Sequence, residues 1–362
     1  MELSKQNVLF FTRTMKLGGT ENVVLQLCEI YKPLVNKIVV CSSGGMNVEK
    51  LNMMGIRHYE IMDIEQKKPK VILSTMRMLG NIVAEENITI IHTHHRMAAF
   101  YIAMLKLYKK CIFVNTSHNI FYDKIRLTRF AYKHAHLVAC GKMVKENLVK
   151  EFGMPESQVK VIHNAIKSFD EVCVEDNQIA ELRRKGSFIV GNVGRLSEQK
   201  GMEYFIKAIP EVIKRRSMIK FVIVGSGEDE KKLESLVHTM KIEKDVLFLG
   251  YRNDIQNIMS QLDLLVLSSL WEGLPLTPIE AFSVGKTIIA TAVDGTVEIV
   301  RDGVDGFLIQ PKDIDSIVEK IVYLYDNNEI LEMMALNAKE RYVSEFTFDV
   351  FAKKYIDFYE EI

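Results

Sequence analysis

Ser187-Phe188-Ile189-Val190-Gly191-Asn192-Val193-Gly194-Arg195-Leu196-Ser197-Glu198-Gln199-Lys200-Gly201 decides the fold of this 362-residue chain. Its first part is a nearly unbroken apolar run, the pattern of a strand covered on both faces of a parallel sheet. A short polar loop follows, and a helix is expected after Gly201. The same strand, loop and helix rhythm runs outward in both directions. Upstream, strand-like runs occupy 7–12, 37–42, 57–62, 88–94, 111–118, 136–141 and 159–165, with helix-like segments such as 21–31 and 71–86 filling the gaps. Downstream, the runs are 220–227, 246–251, 264–269, 287–293 and 306–310. Apolar strands separated by helices mean parallel sheets with helices on both sides. The rhythm breaks at the acidic stretch 168–177. The expectation is an α/β chain of two doubly wound, Rossmann-like domains, 1–167 and 168–345, followed by an aromatic-rich helix over 346–362.

Bulk composition agrees with a globular, two-domain protein, at 48% apolar and 26% charged residues. The apolar stretch 98–107 is interrupted by Lys106 and followed by Lys109 and Lys110, so it does not read as a membrane span. The first residues lack a signal-peptide pattern, and a cytoplasmic chain is the expectation. The cysteines Cys28, Cys41, Cys111, Cys140 and Cys173 form no CxxC pair and read as buried free thiols. Net charge is zero but unevenly divided. Residues 1–167 hold 24 Lys+Arg against 13 Asp+Glu, and the remainder holds 23 against 34. A basic first half can face an anionic partner such as a lipid surface or a phosphorylated acceptor, or it can be an ordinary solvated surface. No nucleic-acid partner is expected.

In open parallel sheets, ligands bind beyond the carboxyl ends of the strands, so two facing sheets would hold a ligand in a cleft. Strand-terminal residues therefore carry the search for chemistry. After the first strand come Gly18-Gly19-Thr20-Glu21. Glycines and a helix start at this place suit a phosphate, although a tight turn alone would look the same. His92-Thr93-His94-His95 ends one strand and Ser117-His118-Asn119 the next. No acid or cysteine joins these histidines at ligand spacing, so no metal is expected. His92 and His94 should share a strand face with His95 opposite. His118, among small polar neighbours, is the candidate for a sugar hydroxyl or phosphate, whereas His92 reads as structural.

Arg195, at the end of its strand, and Lys200, before a helix, offer two cations for a diphosphate. Asp313-Ile314-Asp315 is the sole Asp-x-Asp, and its place after Pro311 reads as a helix cap. Gly225-Ser226-Gly227 lacks the third glycine of a dinucleotide fingerprint, since position 230 is Glu. The densest segment is Ser268-Ser269-Leu270-Trp271-Glu272-Gly273-Leu274-Pro275-Leu276-Thr277-Pro278-Ile279-Glu280-Ala281. It sets Glu272 and Glu280 on either side of a Gly/Pro loop. Carboxylates there can accept paired hydrogen bonds from vicinal hydroxyls of a ribose or hexose, although surface glutamates near a helix start are common.

Glu272 to Glu280 matches the E-x7-E motif of the retaining family 4 glycosyltransferases, which have the GT-B fold. The resemblance runs along nearly the whole chain in order. Gly18-Gly19-Thr20-Glu21 is similar to that family's GGxE loop, and Ser117-His118-Asn119 to its strand-ending His motif. Val161-Ile162-His163-Asn164-Ala165-Ile166 resembles VIPNGID, and Val193-Gly194-Arg195 with Lys200-Gly201 resembles VGR…KG. The run from Gly295 to Leu308 is similar to GGxxEIVxDGxNGxL. The sequence departs from these patterns at His163, Ala165 and Lys167, and at Asp294, where the family carries glycine.

The resemblance implies an acceptor-side first domain, a donor-binding second domain and a terminal helix crossing back to the first. Arg195 and Lys200 would hold the donor diphosphate without an obligatory metal or cofactor. Glu280 would bind the ribose, Glu272 the transferred sugar, and Gly273, Leu274, Pro275, Leu276 and Thr277 would approach sugar and phosphates through their backbone. Gly18 and Gly19 would lie at the phosphate or acceptor side, and His118 near the sugar's 6-position. Catalytic roles fall on Glu272, His118, Arg195 and Lys200. The implied reaction is retaining transfer of a hexose or N-acetylhexosamine from a nucleotide sugar, UDP favoured, to a glycan or lipid-linked acceptor in polysaccharide or glycoconjugate synthesis. The loops 95–99 and 121–129 would choose the acceptor, the latter with Lys124, Arg126 and Arg129 among aromatics that suit the inner membrane surface. A nucleotide-sugar epimerase, a phosphorylase, or a non-catalytic partner subunit are the alternatives. Product analysis without acceptor separates the first two from a transferase, and nucleotide binding separates the last.

Overall fold

The computed structural model describes residues 1–66, 68–169 and 172–362. The chain divides into two compact units, Met1–Asn164 with Phe351–Ile362, and Ala165–Val350. In the first unit the strands are β1 (Asn7–Phe11), β2 (Lys37–Ser42), β3 (Arg57–Glu60), β4 (Ile90–Thr93), β5 (Ile112–Ser117), β6 (His136–Ala139) and β7 (Val159–Val161). They form one parallel sheet in the order β3-β2-β1-β4-β5-β6-β7. The second unit has β8 (Phe188–Val193), β9 (Ile219–Val224), β10 (Val246–Gly250), β11 (Leu264–Leu267), β12 (Ile288–Thr291) and β13 (Gly306–Ile309). Its parallel order is β10-β9-β8-β11-β12-β13.

Each predicted apolar run contains a strand, but most strands stop earlier than the run. The run 187–195 ends as strand at Val193, so Arg195 lies in the loop and does not end the strand. Side chains near strand ends turn out of the ladder to bond with neighbouring loops, which is where polar residues collect. Burial explains the cores. All five residues of β1 are buried. On the helix Met202–Arg215, Phe205, Ile206, Ile209 and Val212 recur at helical spacing and face the sheet. The rings of Phe205 and Phe221 meet edge-on at 5.6 Å. Each such fully buried side chain contributes about 2 kcal/mol.

The boundary after residue 167 shifts to Asn164/Ala165. The cause is local: the Ile166 N–H donates to the Phe346 carbonyl at 3.2 Å, and the Tyr342 hydroxyl donates to the Ile166 carbonyl at 2.9 Å. Both bonds tie this stretch to the second unit. Of the acidic boundary residues, Asp170 and Glu171 lie outside the described residues. At the other end the helix Phe348–Glu361 changes unit at Val350/Phe351, not at residue 346. Its Tyr355 carbonyl accepts from the Tyr31 hydroxyl at 2.6 Å, and the Tyr359 ring lies 4.4 Å from the Tyr31 ring. Four cysteines are buried and in no disulfide, but Cys173 is exposed on the loop before the helix Asn177–Arg184. Among the described residues no helix is long and apolar enough to cross a membrane.

Candidate active site

Each sheet reverses its winding once, between β1 and β4 in the first unit and between β8 and β11 in the second. Such a switch point opens a crevice at the carboxyl ends of the two central strands. The candidate residues gather at these ends.

In the second unit, β8 and β11 are register neighbours, with Leu264 opposite Val190. Their loops are stitched together. The Leu270 N–H donates to the Gln199 carbonyl at 2.8 Å, and the Gln199 amide donates to the Trp271 carbonyl at 3.0 Å. Ser268 accepts from Asn192 at 3.0 Å and donates to the Lys200 carbonyl at 3.1 Å. This lacing brings Lys200 to Glu272, 72 positions later. Lys200 Nζ donates to Glu272 Oε1 at 2.6 Å, and so does the Ser269 hydroxyl at 2.6 Å. The Lys200 and Glu272 side chains keep only 17% and 6% of their surface in solvent. Each therefore depends on the other, since an unpaired buried charge is costly. Lys200, expected as a diphosphate cation, is paired with Glu272 in this structure.

Glu272 Oε2 has no bond to the protein among the described residues. The loop after it is also open. The N–H groups of Gly273, Leu274, Leu276 and Thr277 donate to no protein acceptor among the described residues. Pro275, expected to contribute as well, has no N–H to donate. Glu280 lies in the first turn of the helix Thr277–Ser283. Protein packed around its carboxyl pushes its pKa up to about 7, and the charge of Lys200 pulls weakly the other way. Glu280 thus sits within the field of Lys200. Arg195 is exposed and forms no ion pair among the described residues.

Sequence reasoning missed two supports. Ser269 gave no signal beyond its place at a strand end. Asp294 was marked only as a departure. Its backbone has a positive φ of 39°, uncommon for a residue with a side chain. Its carboxylate accepts the Glu272 N–H at 2.8 Å, and the Gly295 N–H donates to the Gly273 carbonyl at 2.9 Å. These two bonds hold the Glu272 loop from the opposite side. The Gly225-Ser226-Gly227 turn has a packing role, because a Cβ on Gly225 would overlap the Gly194 carbonyl oxygen. Asp313 caps the helix Ile314–Asp326, accepting from the Ser316 N–H at 3.0 Å.

In the first unit, Gly18 precedes the helix Gly19–Tyr31. Glu21 lies against the turn. It bonds the Thr14 hydroxyl at 2.5 Å, and a Cβ on Gly18 would stand 2.5 Å from Glu21 Oε2. The histidines form a row instead of a metal cage, and among the described residues no three His, Cys, Asp or Glu side chains are grouped to hold a metal. His92 stacks on His94 at 4.3 Å, and His94 lies 5.4 Å from the His118 ring. Nδ1 of His94 and Nε2 of His118 share a hydrogen bond of 3.1 Å. His92 bonds the hydroxyls of Tyr359 and Thr116, both at 2.8 Å. Burial lowers the pKa of all three, that of His118 to about 4, so the row is neutral at ordinary pH. His94 is the member the sequence did not single out. The acceptor loops also meet each other: Arg96 binds Asp123 at 2.7 Å and lies 4.4 Å over the Phe121 ring.

Residues 17–168 match the family described as Glycosyltransferase Family 4, and residues 174–341 the one described as Glycosyl transferases group 1. A UDP-Gal:alpha-D-GlcNAc-diphosphoundecaprenol alpha-1,3-galactosyltransferase of Escherichia coli is 32% identical over 295 residues, covering 76% of each chain. An uncharacterized glycosyltransferase of Methanocaldococcus jannaschii is 27% identical over 353 residues, covering 90% of each. Among solved structures, Anabaena Alr3699/HepE in complex with UDP superposes with a TM-score of 0.85 at 20% identity, covering 99% of this chain and 100% of that one. The likeness spans both units and identifies the architecture as GT-B.

Proposed function

Because the chain belongs to the group 1 and family 4 glycosyltransferases, we propose that it moves a hexose or N-acetylhexosamine from a UDP-sugar to a glycan or lipid-linked acceptor, with retention of anomeric configuration. The observation that carries this reading is the half-used carboxylate of Glu272. Lys200 and Ser269 occupy Oε1, while Oε2 and four adjacent loop amides are left without protein partners among the described residues. A carboxylate fixed in this way accepts sugar hydroxyls without first paying to order itself. The amides and the cations Lys200 and Arg195 suit the diphosphate, whose charge grows as the sugar departs. Glu280 takes the ribose hydroxyls. UDP is favoured because the E. coli relative is named for UDP-Gal and the Anabaena structure contains UDP.

No further carboxylate of this unit is placed as a nucleophile by the reading, so leaving and attack occur on the same face of the sugar. The glycosidic C–O bond to the phosphate breaks, the acceptor oxygen bonds to the same carbon, and a departing phosphate oxygen takes the acceptor's proton. The protein positions the reactants and neutralises the phosphate, and no metal is required in this scheme. His118 supplies a neutral imidazole to a substrate hydroxyl.

The acceptor of the E. coli relative is a diphosphoundecaprenol lipid by name. A peripheral contact with the cytosolic membrane face fits the exposed Tyr122, Ile125 and Phe130 beside exposed Lys124 and Arg126. Arg129 is not part of that set, because it donates to the Phe152 carbonyl at 2.9 Å. Incubation with a panel of nucleotide sugars, with the product anomer read by proton NMR, tests the proposal. Release of UDP with a product of unchanged anomeric configuration supports it, and inversion removes the same-face mechanism.

A further inference from the structure

We propose that His94 is a positioning residue that fixes the tautomer of His118, so that His118 presents an Nδ1–H donor to the substrate. The inference builds on the assignment of His118 to a substrate hydroxyl and specifies which hydrogen it offers.

His94 and His118 share a hydrogen bond. Nδ1 of His94 and Nε2 of His118 are 3.1 Å apart, and one proton lies between them. Both rings are neutral, so each carries a single N–H. Two arrangements satisfy this. In one, His94 donates from Nδ1, leaving its Nε2 as a bare lone pair and placing the His118 proton on Nδ1. In the other, His118 donates from Nε2, and His94 must carry its own proton on Nε2.

The surroundings of His94 Nε2 decide between them. His94 is 3% exposed, and its Nε2 is buried with no hydrogen-bond partner among the described residues. A buried N–H without a partner is rarer and costlier than an unused acceptor. The first arrangement avoids that orphaned donor. It leaves Nδ1–H on His118, whose Nδ1 has no protein partner among the described residues and is not sealed from solvent.

The ring of His94 is held in place for this task. It stacks on His92, which two hydroxyls fix, and Phe10 lies 6.0 Å away. β4 and β5 are register neighbours, with Thr93 opposite Asn115, which sets the two strand ends side by side. A donor at His118 selects an acceptor atom on the substrate, an oxygen of a hydroxyl or phosphate. An acceptor-only imidazole would instead require a substrate O–H.

Long-range proton–nitrogen correlation spectra of the full chain, labelled with nitrogen-15 at histidine, read the tautomer directly. His118 is assigned by the loss of its signals in His118→Asn. The expected pattern is Nδ1–H at His118 in the unmodified protein. His94→Phe keeps a stacking ring but removes the donor. His118 should then shift toward Nε2–H, sugar transfer should fall about tenfold, the worth of one hydrogen bond, and UDP affinity should stay unchanged. His94→Asn places an amide N–H where Nδ1 was, and should restore the tautomer and most of the lost rate. Nε2–H at His118 in the unmodified protein, or an unaltered tautomer in His94→Phe, overturns the inference. If no nucleotide sugar is turned over, the transferase reading fails, while the spectra still decide the tautomer.

Discussion

Past β8 and β11, the second unit gathers charge: Lys200 against Glu272, with Glu280 in the field of Lys200. At the ends of β4 and β5, the first unit gathers neutral rings: His92, His94 and His118, with His92 braced by the hydroxyls of Tyr359 and Thr116. The backbone plan is the same parallel sheet with the same switch point. The difference lies in what each set can bind. Opposed charges that satisfy each other are suited to a ligand that brings both phosphates and hydroxyls. Low-pKa imidazoles are suited to uncharged hydroxyls, because they keep one fixed proton and no charge across the working pH range. The division matches a donor side and an acceptor side, the arrangement proposed for this enzyme.

The comparison breaks most visibly at the charged pair. Lys200→Ala leaves Glu272 buried and uncompensated and removes a diphosphate cation. Steady-state kinetics should show transfer reduced about 100- to 1000-fold. Denaturant unfolding should show a loss of about 3 kcal/mol. A rate near that of the unmodified protein would mean that the pair is structural.

Glu280 sharpens the contrast through pH. Its carboxyl pKa is raised to about 7 from an ordinary value of 4.5. The folded protein therefore binds this proton more tightly than the unfolded chain. Its contribution to stability is greatest below pH 4.5, falls as pH rises toward 7 and stays at its least favourable above that. Glu280→Gln should accordingly be more stable than the unmodified protein at pH 8, by about 2 kcal/mol, with no gain at pH 4. Thermal melts across that range check the sign. Improved stability should come with weaker UDP binding, the trade expected of a binding residue held in an unfavourable environment.

The first unit should respond more mildly. Tyr359→Phe removes one hydroxyl from the His92 end of the row. The expected cost is about 1 kcal/mol in unfolding free energy, with little change in UDP affinity. A large loss of UDP binding would contradict the division of labour between the two sets of residues.

The sequence shows the sheets well because buried parallel strands are written as apolar runs. Lys37–Ser42 was bounded to the residue. Strand ends were less visible: Arg195 belongs to a loop because the β8 ladder stops at Val193. The individual candidate donor-site residues were legible as types near strand ends, Lys200 and Glu272 among them. Their bond was not, because it needs β8 and β11 to be neighbours, a fact of topology that 72 intervening positions conceal. Asp294 shows a different limit. It was visible only as a missing glycine, and its grip on the Glu272 N–H depends on a positive φ that no neighbouring residue announces. His94 was seen to share a face with His92, but its bond to His118 required the β4–β5 register.

The central claim is that Lys200 and its loop, with Arg195 and Glu280, hold a nucleoside diphosphate. Calorimetric titration of the full chain with UDP tests this most directly. The account predicts saturable binding, weakened at least about tenfold by Arg195→Ala and by Lys200→Ala, the loss of one charged contact in each case. No binding of UDP or other nucleoside diphosphates, or equal affinity in all three proteins, would contradict it.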